Sequence, residues 1–122
     1  DTFQRGAVTG AVASMSQHRP RLGEADYHSL AELAVTSDDG QQVVEVGWTV
    51  DRQVNEGDEG PHLFVFHWVD GVPACYNGCG WVQVSASRVP GMALEVTDSD
   101  TRSMVRVASW LTSLTSEVNW KR

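Results

Sequence analysis

The sequence predicts one mainly β-structured domain within its 122 residues. Turn-forming residues (Gly, Pro, Asn and Asp) recur at short intervals along the chain. Apolar segments of strand length lie between these turns, and several of them alternate between two faces. Short strands at this spacing are typical of an all-β sandwich or barrel. We therefore predict an antiparallel β-sandwich over residues 1–100, followed by a divergent tail over residues 101–122 that is either an appendage or a part of the same domain.

The first half of the chain contains the clearest strand, Gln41–Val50. Every second residue of this strand is apolar and predicts its core face: Val44, Val46, Trp48 and Val50. Residues 27–35 include good helix formers, and their propensity alone favours a helix. A strand there could instead pair with Gln41–Val50 through the turn at Ser37–Gly40, and we favour the strand for that reason.

The second half contains three further predicted strands. Residues 62–69 are apolar on both faces, so we expect a central strand that is covered on both sides. Asp70-Gly71 indicates a tight hairpin, and Pro73 places the following strand at an edge or a bulge. Shorter strands are predicted over 81–87 and 91–97.

The tail differs from the rest of the chain in charge and in periodicity. Residues 1–99 carry a net charge of −9 and residues 100–122 a net charge of +2. A helical spacing fits five apolar residues: Met104, Ala108, Leu111, Leu114 and Val118. Val105 and Val107 also fit the alternation of a strand. We favour a helix from about residue 101.

Charge and hydropathy exclude several classes of partner. The net charge is −7 and there is no cluster of Lys and Arg, so the chain lacks the basic surface of a nucleic-acid binder. An acidic domain is also repelled by anionic lipid, and no apolar run approaches the length of a membrane span. We expect a monomer that binds neither nucleic acid nor membrane and needs no cofactor.

The two cysteines lie close together, in Cys75-Tyr-Asn-Gly-Cys79. The Asn-Gly pair provides turn geometry that can bring the two sulfur atoms together, and a disulfide would indicate an oxidising compartment. The alternatives are half of a metal site and two free thiols. The four histidines show no spacing that would complete a zinc site, so we favour the disulfide and expect no metal.

Two glutamates, Glu32 and Glu45, lie on strands that we expect to pair. A four-residue loop at Ser37–Gly40 would place them directly opposite each other, a two-residue loop would place them diagonally on one face, and an odd-length loop would separate them. Two carboxyls this close share a proton, which is the arrangement of acid-active hydrolases. The alternative is a solvated pair without a function. Gly47 follows Glu45 on the same face and leaves room for a ligand.

Three segments together resemble the neprosin domain. They are Val44–Val50 with its Glu-x-Gly-Trp motif, His62–Trp68, and the Cys-Tyr-Asn loop that begins at Cys75. The resemblance extends from about Gly6 to about Thr97. Neprosin-domain proteins are secreted antiparallel β-sandwiches, and some are glutamic peptidases that cleave next to proline.

The resemblance implies a secreted, acid-active glutamic peptidase or a remnant of one, which acts on polypeptides that include proline. Glu45 corresponds to the first glutamate of the family's catalytic pair. The second lies downstream in a Trp-Gly-Gly-Glu type of segment, which residues 98–122 lack. Catalysis then requires Glu32 in that role, with Gly47, Thr49 and Tyr76 lining the cleft. The alternative is a non-catalytic β-sandwich that binds peptide or glycan there.

Overall fold

The computed structural model describes residues 4–83, 85–97, 100–108 and 116–117. These residues form eight strands and no helix, so the predicted all-β class is confirmed. The strands are β1 (Gly10–Ser16), β2 (His28–Thr36), β3 (Val43–Asp51), β4 (His62–Val69), β5 (Val72–Tyr76), β6 (Trp81–Val82), β7 (Arg102–Ala108) and β8 (Ser116–Glu117).

The main sheet is antiparallel and has the strand order β2-β3-β4-β5. A second antiparallel pair joins β1 to β7, and the two short strands β6 and β8 pair in parallel. Because β3 and β4 lie between other strands, they contribute most of the core. The predicted central position of β4 is therefore confirmed.

The core covers one face of the main sheet, as the alternation in β3 predicts. Its largest cluster consists of Val44 and Val46 from β3 with Leu63 and Val65 from β4, all 2% exposed or less. Side chains from β1 and from three other segments (β2, β6 and residues 91–97) pack against this cluster: Ala13, Met15, Leu33, Val35, Trp81, Met92 and Leu94. Both glutamates lie on the opposite face of the main sheet.

The segment that precedes β3 is a strand, which confirms the prediction against helix propensity. Its exposure alternates residue by residue from His28 to Thr36, as expected when one face packs on a core. The turn to β3 closes when the Ser37 N–H donates to the Gln42 carbonyl (2.8 Å). Asp39 holds the loop by accepting from the Ser37 hydroxyl at 2.6 Å and from the Gln41 N–H at 3.0 Å.

At the other side of the sheet, β5 is an edge strand with an irregular register. Pro73 pairs with Trp68 and Cys75 with His67, so one extra residue bulges between them. A proline has no N–H for the ladder and is tolerated at such positions. The edge or bulge predicted from Pro73 is confirmed.

Two predicted strands are shorter than the sequence suggested. Among the described residues of 81–87, which leave out residue 84, only β6 is a strand, and Ala86 and Ser87 lie in a turn. Residues 91–97 form a single bridge, Ala93 with His62, although they bond to the start of β4 through further backbone contacts such as Leu63 N–H to Met92 C=O (2.9 Å). For the described residues the predicted extended strands are wrong, because irregular backbone follows the two paired residues of β6 and flanks the single bridge at Ala93.

The helix expected from about residue 101 is wrong over residues 102–108, which form β7. This strand pairs with the whole of β1, from Ser16 opposite Arg102 to Gly10 opposite Ala108. A distant partner strand outweighs local helical spacing, because the ladder satisfies the backbone groups of both segments at once. The helical positions Leu111, Leu114 and Val118 lie outside the described residues.

Candidate functional site

The register of β2 and β3 brings the two glutamates together on one face. Glu32 lies opposite Gly47 and Ala34 lies opposite Glu45, so the glutamates are diagonal neighbours. This is the second of the registers considered from the sequence, and directly opposed glutamates are excluded. Diagonal partners on adjacent strands are separated by about 7–8 Å between Cα atoms. Two glutamate side chains can reach a common point across that distance.

The surroundings of both carboxyls oppose their ionisation. Desolvation by burial raises the pKa of Glu45, and the negative charge of Glu32 raises it further, while a hydrogen-bonding interaction with the Trp68 indole lowers it. Desolvation also raises the pKa of Glu32, and a favourable interaction with His28 lowers it. Each carboxyl therefore holds its proton at a higher pH than a solvated glutamate does.

A wall of four aromatic rings, Phe64, Phe66, Trp68 and Tyr76, borders the glutamates. By register Phe66 lies opposite Glu45 on β4, and Tyr76 of β5 lies beyond it. The ring centroids of Phe66 and Trp68 are 4.9 Å apart, and those of Phe66 and Tyr76 are 5.5 Å apart. Phe64 stacks on Tyr76 at 5.9 Å. This aromatic wall supplies low-polarity surroundings that disfavour a charged carboxylate.

Gly47 permits close approach of the neighbouring strand rather than leaving open space. A Cβ at Gly47 would lie 1.9 Å from the carbonyl oxygen of Ala31 and 2.8 Å from Cα of Glu32. The volume that the sequence suggested for a ligand is thus filled by β2 itself. Thr49 lies on the same face, but it is 4% exposed and pairs with His62. A cleft role for these two residues stays a prediction.

Tyr76 is half-buried within the aromatic wall on the same face as Glu45. Desolvation, together with the charge of Asp51, raises the pKa of Tyr76 to about 12. Its phenol therefore stays neutral at any pH at which the glutamates titrate, so it can donate a hydrogen bond but supplies no charge. This placement is compatible with the predicted lining role.

The disulfide predicted between Cys75 and Cys79 is present. Its loop docks on β4 through Asn77, whose N–H donates to the Val65 carbonyl (2.8 Å) and whose Oδ1 accepts from the Val65 N–H (2.9 Å). The Trp81 indole donates to the Asn77 carbonyl at 2.9 Å. Asn77 has a φ of 58°, the left-handed conformation that asparagine tolerates. The loop thereby fixes Tyr76 against Phe66, the residue that pairs with Glu45.

The acidic loop between β3 and β4 is tied to basic side chains. Glu59 pairs with Arg52 (3.1 Å), and Asp58 lies 3.9 Å from Arg19 and 3.7 Å from His62. Among the described residues, no group of three or more potential ligands could hold a metal ion. These contacts assign the loop a structural role.

Trp68 is the residue of this site that the sequence did not reveal as functional. Alternation along β4 places it on one face with Phe64 and Phe66, but its position near Glu45 depends on the register between β3 and β4. A loop of ten residues separates those strands, so no turn rule gives that register from the sequence.

The chain is thus an all-β protein with two carboxyls on one face of an antiparallel sheet. The family model described as Neprosin matches residues 25–121, and the chain belongs to the neprosin family. The match continues through residues 98–121, so the expected end of the similarity near Thr97 is wrong.

No curated protein shows a significant similarity to the chain, and no solved structure does. In the part of the chain that the structure describes, there is no helix long and apolar enough to cross a membrane.

Proposed function

We propose that this neprosin-family chain hydrolyses peptide bonds in acid, with Glu45 and Glu32 as its catalytic pair. The observation that carries the proposal is the placement of two carboxyls with raised pKa values on one face of the sheet. Such a pair holds one proton in mild acid, so that one member can act as a base while the other acts as an acid.

The proposed reaction uses one water molecule and no cofactor. Ionised Glu45 takes a proton from water as the water oxygen bonds to the carbonyl carbon of the scissile peptide. Protonated Glu32 donates its proton to the departing nitrogen as the carbon–nitrogen bond breaks. The products are a carboxylic acid and an amine. The proton gained by Glu45 and that lost by Glu32 leave the pair with one proton, as at the start.

The proposed substrate is an extended polypeptide that includes proline. Phe66, Trp68 and Tyr76 are each half-buried, so part of their ring surface remains available beside Glu45. Flat apolar rings of this kind offer contact area to a proline ring or to a peptide backbone at little entropic cost. Secretion is proposed from the Cys75–Cys79 disulfide, since disulfides persist in oxidising compartments.

The experiment incubates the protein with proline-rich peptides between about pH 3 and pH 7, and detects fragments by mass spectrometry. We expect cleavage in acid that declines toward neutrality as the pair loses its shared proton. Glu45→Gln should abolish cleavage and keep the fold, while Glu32→Gln should change the pH profile more than the maximal rate. Glu24→Gln, at an exposed glutamate outside the strands, is the matched control and should change neither. Cleavage that survives Glu45→Gln would contradict the mechanism.

A second candidate is a non-catalytic module that binds a peptide or a glycan on the same face. The aromatic wall favours it, because half-buried rings also stack on sugar rings and on proline without any chemistry. Binding of the peptide with no fragment at any pH, and loss of binding on Tyr76→Ala, would support this candidate over the peptidase.

A further inference from the structure

Trp68 and Glu45 are neighbours on the same face of adjacent strands. Phe66 lies opposite Glu45, and Trp68 lies two residues further along β4, opposite Val43. The contact with Phe66, tilted by 47° at 4.9 Å, holds the Trp68 ring against the aromatic wall. By register Trp68 and Glu45 are therefore diagonal neighbours on this face.

The indole nitrogen of Trp68 is buried, and among the described residues it makes no hydrogen bond of ordinary geometry. Two other indoles in the protein behave differently. The Trp48 Nε1 donates to the Ser16 carbonyl and the Trp81 Nε1 donates to the Asn77 carbonyl, both at 2.9 Å. Buried donors are paired in the great majority of cases, so an unpaired one calls for an acceptor that is engaged in another state of the protein.

Glu45 is the acceptor that fits. The interaction of its carboxyl with the Trp68 indole lowers the pKa of Glu45, which opposes the rise caused by burial and by Glu32. An indole can donate but cannot accept, so it stabilises the ionised carboxylate more than the protonated acid. The other titratable groups on this face of the sheet are His28, Glu32, Asp51, His62 and Tyr76.

We propose that Trp68 is a positioning residue whose indole N–H donates a hydrogen bond to the Glu45 carboxylate when Glu45 is ionised. The hydrogen bond satisfies the buried donor and holds the charge on Glu45 rather than on Glu32. It thus assigns the base to Glu45 and leaves the shared proton on Glu32. The catalytic consequence depends on the proposed peptidase function, but the hydrogen bond itself does not.

The test follows the indole N–H resonances by ¹H–¹⁵N NMR during an acid titration. The Trp68 signal is assigned in the wild type from its nuclear Overhauser contacts with the Phe66 ring, whose centroid lies 4.9 Å from that of Trp68. We expect it to move with the same midpoint as the Glu45 side-chain carboxyl, followed by ¹³C NMR, and to stay constant in Glu45→Gln. The indoles of Trp48 and Trp81 are internal controls, because they donate to backbone carbonyls that do not titrate.

A second measurement follows the Glu45 carboxyl after the Trp68 N–H has been removed. Trp68→Phe keeps an aromatic ring next to Phe66 and removes the N–H, so the pKa of Glu45 should rise. If cleavage is detected, the acid limb of its pH profile should move to higher pH by the same amount, since Glu45 must be ionised to act as a base.

The outcomes separate this inference from the proposed function. A Trp68 signal that stays flat through the Glu45 titration, or that moves equally in Glu45→Gln, would overturn the hydrogen bond even in an active enzyme. A signal that tracks Glu45 in a protein without peptidase activity would support the hydrogen bond and reject catalysis. The wild-type titration needs no variant, so poor folding of Trp68→Phe cannot obscure the result.

Discussion

Replacing Gly47 by alanine should destabilise the protein more than any ordinary surface substitution. The added Cβ would lie 1.9 Å from the carbonyl oxygen of Ala31 and 2.8 Å from Cα of Glu32, whereas ordinary contacts begin at 3.4 Å. Both obstacles are backbone atoms of β2, so no side chain can rotate away. The two strands must move apart by about 1.5 Å where Ala31 pairs with Trp48.

The expected cost follows from these contacts. Overpacking in a filled site costs about 1–3 kcal/mol, and each weakened ladder hydrogen bond adds about 1 kcal/mol. A loss of about 3 kcal/mol or more is therefore expected, out of the 5–15 kcal/mol that is typical of a whole domain. With urea m-values of about 1–3 kcal/mol per molar, the midpoint of unfolding should fall by roughly 1–3 M.

The assay is urea unfolding followed by fluorescence, with Gly6→Ala as the matched control. A Cβ at Gly6 would meet no atom within 4 Å, so that variant should unfold as the wild type does. A Gly47→Ala protein that loses less than 1 kcal/mol, with an unchanged m-value, would refute the close approach of β2 to β3 as described.

Two further predictions concern the site charge and the tail. Folding raises the pKa of Glu45, so the folded protein is favoured below the unfolded pKa near 4.3, and that advantage disappears as the pH rises through the folded pKa. Glu45→Gln should consequently raise the melting temperature by about 2–4 °C at pH 7 and hardly at pH 3, measured by calorimetry, because the partly exposed carboxyl makes the effect modest. Deleting residues 101–122 removes β7, the partner of β1, and should lower the urea midpoint clearly; an unchanged midpoint would support the separate tail that the sequence predicts.

Local patterns predicted most of the main sheet and missed what depends on distant partners. The strand β2 was predicted correctly against its helix propensity, because the short turn at Ser37–Gly40 indicated that it pairs with β3. For β7 the helical spacing was followed and the strand was missed. The paired residues of β1 and β7 are 86 to 98 positions apart in sequence, so no turn between the two strands indicates that they pair.

The proximity of the two glutamates could be predicted from the sequence, but their register and their aromatic neighbours could not. The sequence placed Glu32 and Glu45 on one face under either even loop length, and the structure has the diagonal register, with Asp39 hydrogen-bonded inside the loop. Gly47 was interpreted as open space because a sequence cannot show how closely the next strand approaches. The position of Trp68 near Glu45 could not be predicted, because it depends on the register of β3 against β4 and a ten-residue loop does not determine that register.

The docked disulfide loop has a consequence for the chemical ageing of the protein. Asn-Gly sequences lose ammonia when the glycine nitrogen attacks the asparagine side chain, and asparagine is among the thermolabile residues for this reason. Here the Gly78 nitrogen donates to the Tyr76 carbonyl at 2.7 Å, and the Asn77 side chain is engaged with Val65 at 2.9 Å. The folded, oxidised protein therefore protects the one Asn-Gly pair in its sequence. Deamidation at Asn77 should accumulate while the loop is open, so it records how long a sample has spent reduced or unfolded.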